Sequence, residues 1–391
     1  MTRPLLIIFL TIFVNLVGFG IIIPLLPFYA QTFGASPFIV GLLFAIFSLC
    51  QLVASPVLGD LSDGWGRRPI LVFSLAGTVV SFVMLALAHS IVMLFLARIV
   101  DGLSGGNIST ARAYVADVTE PKDRAKAYGL LGAAFGLGFI FGPALSGVLA
   151  RVSYTAPIWA AAGLTLVATV MAWAWLPETV HRTHAGTGNP LHYLPEMLTR
   201  PLVRRVLVID FAFWFSFAIF QTTFALFAAA RFGFDAARTG YYFAGFGLLG
   251  AIIQGGFIRP LVHRFGDKTT FLVGLAFGVV GLVGSGLTHS VGVFAVMLVP
   301  LAFGMGFGMP TLSSLVSRSA QGHEQGRIQG AASAIESLSR TVGPVWGTAL
   351  LQGAGESSPF VSAAAFLLVT LLLGLGYPVA EPEHIAVSQA G

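Results

Sequence analysis

The sequence predicts an all-α integral membrane protein with twelve transmembrane helices in two pseudo-symmetric six-helix halves. Composition is the first observation: 56% of the 391 residues are hydrophobic and 9% are charged, against about 25% charged in an average soluble domain. Spacing is the second. Apolar stretches of the length that crosses a bilayer core, about 20 residues, alternate with charged or Gly/Pro-rich breaks along the chain. The third is an internal repeat, visible as matched anchor residues at a nearly constant offset.

The first six stretches fall at 5–30, 38–58, 69–88, 91–116, 127–150 and 156–176. Span one, from Leu5 to Ala30, is too long for the apolar core of a cleavable signal peptide. Span two runs into a glycine- and charge-rich break ending at Arg67-Arg68-Pro69, and span three follows. Span four carries Arg98, Asp101 and Arg112, span five is rich in glycine, and span six stops at Leu176-Pro177. The polar stretch 177–205 reads as an interdomain linker between an N-terminal half, 1–176, and a C-terminal half, 206–391, with a short tail. Spans of the second half are expected at 206–230, 239–262, 269–288, 291–316, 328–352 and 359–380.

Three landmarks relate the halves. Trp65-Gly66 answers to Phe265-Gly266 at an offset of 200, and Gly102 and Gly106 answer to Gly304 and Gly308 at 202. Gly129 and Gly142-Pro143 answer to Gly330 and Gly343-Pro344 at 201. An even number of spans separates equivalent points, so the halves run parallel.

Basic residues set the orientation. Of the 21 Lys and Arg, Arg98, Arg112 and Arg340 lie within spans. Arg151, Arg231 and Arg238 fall on one side, and the others share the side of the N-terminus. Positive charge collects on the cytoplasmic side, which predicts a multi-pass protein of the plasma membrane with both termini cytoplasmic. Topology thus accounts for the net charge of +5, and no nucleic-acid partner is expected. The sequence holds no GxxxxGK[ST] phosphate loop, and its three lysines, Lys122, Lys126 and Lys268, lie in loops. ATP hydrolysis and a retinal Schiff base are excluded. Cys50 is the single cysteine, and the histidines show no metal-ligand spacing. No metal or cofactor is expected, and energy must come from a gradient. No pore-lining ring or nucleophile–base set points to a channel or an enzyme.

The segment Gly59-Asp60-Leu61-Ser62-Asp63-Gly64-Trp65-Gly66-Arg67-Arg68-Pro69 resembles the loop motif of the major facilitator superfamily. In span five, Gly132, Gly136, Gly138, Gly142-Pro143 and Gly147 resemble the glycine-proline motif of its drug:proton antiporter branch. Span one, with Asn15, Gly18, Gly20, Pro24 and Pro27, is similar to the first helix of the tetracycline-efflux group. So are Arg98 to Asp117, Gly306-Phe307-Gly308-Met309-Pro310 and Gln325-Gly326-Arg327-Ile328-Gln329-Gly330. The resemblance covers nearly the whole chain. It implies a monomeric secondary transporter in a lipid bilayer, exchanging a small-molecule substrate for protons as one half rocks against the other. Proton-coupled efflux of amphipathic or aromatic drugs is the expected function. A dedicated metabolite exporter, a proton symporter or a non-transporting sensor are the alternatives on this fold. Two positions depart from the pattern. Gly64 stands where a basic residue follows the aspartate, and Asn15 stands where the tetracycline-efflux group has an aspartate. An amide carries no proton.

Charge inside hydrocarbon costs about 2.5–3.5 kcal/mol per residue on insertion scales, so ionisable residues within spans are functional candidates. Asp101, Gly102, Gly105, Ser109 and Arg112 fall within about 60° of Arg98 on a helical wheel, one polar stripe expected to face a water-filled cavity. Asp101 is the first candidate for proton binding, with Arg98 beside it; a permanent Arg98–Asp101 pair that only holds the helix is the other reading. In span eleven Gln329, Ser333, Glu336, Ser337 and Arg340 share a face, with Glu336 and Arg340 at i,i+4. With Asn15 uncharged, Glu336 is the second proton candidate and a site for a cationic drug; a Glu–Arg pair neutralised for insertion is the alternative.

Span seven lines up Asp210, Phe213, Trp214, Phe217, Gln221 and Phe224. An aromatic wall with few polar groups suits amphipathic aromatic compounds, and Asn15, Trp214, Phe217, Gln221 and Ser333 are the substrate-binding candidates. Packing or lipid contact is the plainer reading of such a face, and Asp210, about five residues from the expected inner end, is expected to be wetted there.

The family resemblance implies that Asp63 and Arg67 lock the outward-facing state, with Asp117 as partner of Arg67. Gly59 and Gly66 are expected in a tight reversal and Asp63 against a helix N-terminus, with Arg68 adding positive charge. Gly138, Gly142 and Pro143 allow close packing and a kink, to which the resemblance adds a seal against proton leak.

Overall fold

A computed structural model describes residues 3–105, 107–120, 123–179, 196–319 and 324–376. The anchor Gly106, the linker from 180 to 195 and the C-terminal tail lie outside the described residues. The first half comprises α1 (Arg3–Gln31), α2 (Pro37–Trp65), α3 (Arg67–Ala86), α4 (Ile91–Leu103), α5 (Asn107–Val118), α6 (Arg124–Leu149) and α7 (Thr155–Trp175). The second comprises α8 (Pro201–Phe232), α9 (Ala236–Gly256), α10 (Ile258–Leu287), α11 (Val291–Arg318), α12 (Gln325–Gly353) and α13 (Ser358–Leu375). Among the described residues nine helical stretches, α4 and α5 counted as one, are long and apolar enough to cross a membrane. With α8, α9 and α12 they make the twelve spans of the two halves.

Local chemistry sets the helix ends. Ser36, Ser90 and Asp235 accept N–H bonds from Ile39, Met93 and Arg238 at 3.4, 3.3 and 2.7 Å, satisfying donors that a helix start leaves open. Gly233, at φ 64°, closes α8. Before α8, Arg200 hydrogen-bonds Glu324 at 2.7 Å, and that bond raises the guanidinium above its ordinary value.

Two expectations about elements need correction. The motif expected as a loop is mostly helix: α2 continues through Gly59 and Gly64 to Trp65, and only Gly66, at φ 111°, turns the chain. Gly59 has no left-handed backbone and no neighbour within 4 Å of a built Cβ, so it makes no reversal. Span four is not one helix. It breaks after Leu103 into α4 and α5, and Gly102, expected on the polar stripe, packs against the Phe47 carbonyl and Cys50. Span eight, expected at 239–262, does run past Gly256 into the start of α10, and the kink at Gly266, φ 77°, begins span nine. Gly66 and Gly266 thus perform the same turn in the two halves.

Small residues join the halves at the end remote from this turn. A Cβ on Gly142 would lie 2.7 Å from the Gly20 Cα, and one on Gly138 2.7 Å from the Leu16 Cβ, so α6 rides directly on α1. Across the halves, a Cβ on Gly240 of α9 would lie 2.7 Å from the Pro143 carbonyl, and one on Gly41 of α2 would lie 2.7 Å from the Pro344 carbonyl. These contacts are related by the internal repeat. Proline frees the carbonyl one turn earlier rather than its own, but glycine on the facing helix lets the backbones meet. The Phe38 N–H also donates to Gln352 Oε1 at 3.2 Å between the halves.

Candidate functional site

Between the halves lies a cavity of about 1160 Å³. Asn15, Trp214, Phe217, Gln221 and Ser333, the expected substrate residues, all line it, as do Arg98, Asp101, Arg112, Asp210, Glu336 and Arg340. Its wall reaches Gly59, Asp63, Arg67 and Arg327 at the motif end, while the Pro143–Gly240 and Pro344–Gly41 contacts close the other end. The molecule is open at the motif end.

In the first half, α4 presents a buried pair. Arg98 and Asp101 are 1% and 4% exposed and meet at 2.8 Å between Nη1 and Oδ2. The guanidinium lies 4.1 Å over the Phe47 ring and donates to the Leu43 carbonyl at 3.5 Å. Thr78 of α3 hydrogen-bonds the Asp101 carboxyl. Each charge is therefore matched and solvated by protein, the condition under which a buried pair is tolerated. Asn15, at 5% exposure, has no partner for Oδ1 among the described residues.

In the second half, Glu336 and Arg340 pair at 3.1 Å along α12 and remain partly exposed to the cavity. The Arg340 guanidinium lies 4.6 Å over Trp214, and Trp214 meets Phe217 edge-on at 5.8 Å. The aromatic face of α8 is narrower than its spacing suggested. Phe213 and Phe224 are fully buried and turn into the second half's core, Phe213 against Gly308 and Phe224 against Phe243 at 4.4 Å. Asp210 lines the cavity but is only 2% exposed, more enclosed than expected near an inner end, because α8 begins at Pro201 and sets it in the third turn. Sequence reasoning missed the rest of the aromatic wall, including Phe19, Phe47, Phe135, Phe139 and Phe246, because a phenylalanine within an apolar span does not stand out as a charge does.

At the motif end, Arg67 pairs with Asp63 and with Asp117 Oδ2 at 3.0 Å, and donates to Ser62 Oγ at 2.7 Å. The start of α3 is capped from further along the chain. The Glu178 carboxylate accepts the N–H groups of Arg67 and Arg68 at 2.9 and 3.1 Å, at the positive end of α3. Arg68 donates to the Trp173 carbonyl at the end of α7. Glu178 stands beyond the last apolar residue of span six, and only tertiary proximity reveals it. Among the described residues no group of three or more His, Cys, Asp or Glu is placed to hold a metal.

The model of the Major Facilitator Superfamily matches residues 8–344, with a second match over 255–390. The chain belongs to the major facilitator superfamily. It is 35% identical over 366 residues to the tetracycline resistance protein, class G, of Vibrio anguillarum, covering 90% of this chain and 92% of that one. It is 28% identical to the quinolone resistance protein NorA of Staphylococcus aureus, covering 90% of each. Among solved structures it superposes on the human organic anion transporter MFSD10 with a TM-score of 0.75 and 25% identity, over 95% of this chain and 99% of that one. It also superposes on a mutant of the nucleoside transporter NupG with a TM-score of 0.80 at 10% identity, over 96% of this chain and 99% of that one.

In this superfamily member the second half repeats the motif-end contacts with the charges exchanged. Asp267 follows Gly266 as Arg67 follows Gly66, and its carboxylate takes Arg318 at 2.8 Å and Ser314 at 2.8 Å. Arg318 stands at the repeat offset from Asp117. Lys268 donates to the Leu375 carbonyl at 3.0 Å, as Arg68 does to that of Trp173. At this motif the sequence match ended with Phe265-Gly266, because an exchanged pair shows no identity at either position.

Proposed function

We propose that this protein is a proton-coupled exporter of amphipathic aromatic compounds, multidrug or tetracycline-like in range. It works by alternating access as a monomer in the plasma membrane. Both termini are cytoplasmic, and the proton gradient is its energy source with no cofactor. The observation that carries this reading is the central cavity, closed at one end, where Trp214 and Phe217 stand beside Glu336 and Arg340. Rings bind aromatic bodies by stacking, the carboxylate draws a cationic group, and fixed charges in a dry wall discriminate among substrates. Similarity to tetracycline and quinolone resistance proteins supports the substrate class.

In this reading the motif end is cytoplasmic and the conformation is inward-open. Asp63, Arg67, Arg68 and Asp117, whose mutual contacts within the first half are already made here, form that half's face of the gate, which engages when it meets the second half as that end closes, with Gly66 as its turn and Gly59 on the cavity wall. Gly138, Gly142 and Pro143 hold the opposite seal. Arg98 and Asp101 serve as the charged anchor of α4, while Glu336 and Arg340 meet the substrate.

The test uses the full chain in proteoliposomes with an imposed pH gradient and an internal pH dye. Tetracyclines, fluoroquinolones, cationic dyes and small metabolites are added one at a time. Dissipation by several aromatic compounds is the expected result. A response confined to one metabolite would replace this reading with a dedicated transporter.

A further inference from the structure

We infer that Asp210 holds a proton in the inward-open cavity and releases it when the cationic end of a substrate arrives. The inference rests on the proton-coupled export proposed above. Three carboxyls stand deep in the cavity, and charge accounting separates them. Asp101 has Arg98 at 2.8 Å and a hydrogen bond from Thr78. Glu336 has Arg340 at 3.1 Å. Asp210 has no salt bridge among the described residues, and its Oδ2, buried within a residue 2% exposed, has no hydrogen-bond partner.

The groups facing Asp210 are few. From α12 come Glu336 and Arg340, and from its own helix the Trp214 indole donates toward it. Arg340 is already bonded to Glu336 and lies over the Trp214 ring at 4.6 Å. From the first half, Arg112 of α5 acts on Glu336 rather than on Asp210. Asp210 and Glu336 thus share the Arg340 guanidinium, with Arg112 acting on Glu336 alone, so Asp210 is the carboxyl left without a cation of its own in a group that titrates as a unit. A bare carboxylate oxygen buried without a donor is the costliest arrangement here, so the proton belongs on Asp210 Oδ2. On release the O–H bond breaks, the proton passes to water at the open motif end, and the carboxylate left behind faces the positive group of the substrate. Proton and cation thus compete for one carboxyl, so that binding of either drives off the other, which is the requirement of an antiporter.

Infrared difference spectroscopy of the full chain in liposomes tests the assignment without substrate. A protonated-carboxyl band is expected at neutral pH in the parent, lost in Asp210→Asn, shifted in Asp210→Glu and retained in Glu336→Gln. An unchanged band in Asp210→Asn would overturn the inference. The second arm adds tetraphenylphosphonium to purified protein in weak buffer with a pH indicator. The parent should release protons on binding and Asp210→Asn should bind without release; equal release from both overturns the inference. Failure of the parent to move any drug along a pH gradient sinks the export reading instead, and the infrared assignment registers independently of it.

Discussion

The Arg98–Asp101 pair shows what a buried charge demands. With the guanidinium 1% exposed and its stem enclosed, removal of its counter-charge leaves an uncompensated ion, a loss of about 3–5 kcal/mol. Asp101→Asn is expected to lower the thermal unfolding temperature of the detergent-solubilised protein and to reduce transport of every substrate alike. Glu336 makes a different demand, since it and Arg340 touch the cavity. Glu336→Gln should cut efflux of a cationic dye about tenfold, a difference of about 1.4 kcal/mol, while a neutral substrate keeps most of its rate. Equal loss for both substrates, measured in everted vesicles, would reduce Glu336 to a structural role. Sequence spacing put all four residues on the right faces. It left open whether each pair was exposed, and the two predictions above follow from that difference.

Among the elements, α3 and α6 carry the most specific claims. The start of α3 is held by Glu178 from beyond α7. Glu178→Ala should cost about 0.5–2 kcal/mol, the range of a lost helix cap, and should loosen the Arg67 contacts; hydrogen exchange at the first turn of α3 would report it. On α6, a side chain at Gly142 meets the backbone of Gly20, which cannot swing aside. Gly142→Leu should destabilise the fold by at least the roughly 1–3 kcal/mol of ordinary overpacking, and should let protons leak in a passive-permeability assay. Gly132 and Gly136 on the same helix have open space around a built Cβ, so alanine there should be tolerated in stability. The glycine motif alone draws no line between these positions. The line comes from which helix lies opposite.

At the scale of the whole molecule, the seal and the opening are on opposite ends, and repeat-related contacts make both. Gly142-Pro143 with Gly240, and Gly343-Pro344 with Gly41, close one end. At the other, Arg67–Asp117 and Arg318–Asp267 sit in equivalent places with opposite polarity. Halves that rock as rigid bodies part the first set, which joins one half to the other, and carry the second set along intact, because each of those pairs lies within one half. In a Cys50→Ser background, cysteines at positions 38 and 352 are expected to cross-link readily in the substrate-free protein and to abolish transport reversibly with reductant. Efficient cross-linking with full transport would mean that this end never opens.

Sequence by itself determined the twelve spans, the two parallel halves and the family. Those follow from one-dimensional constraints: hydrocarbon requires long apolar runs with satisfied backbones, and repetition survives as spaced Gly and Pro anchors. It also located charged residues that line the cavity, since charge within a span is rare enough to stand out, but of the aromatic wall only Trp214 and Phe217. Tertiary structure alone decided that the loop motif is the helical end of α2, that span four is broken, that Phe213 and Phe224 face the core, and that Glu178 caps α3. It alone showed Asp210 buried without a salt bridge among the described residues and Asp267–Arg318 as the exchanged counterpart of Arg67–Asp117. The physical reason is common to all of these. Helical period fixes a residue's direction relative to its own axis, whereas burial, pairing and opening depend on what another helix brings to that side.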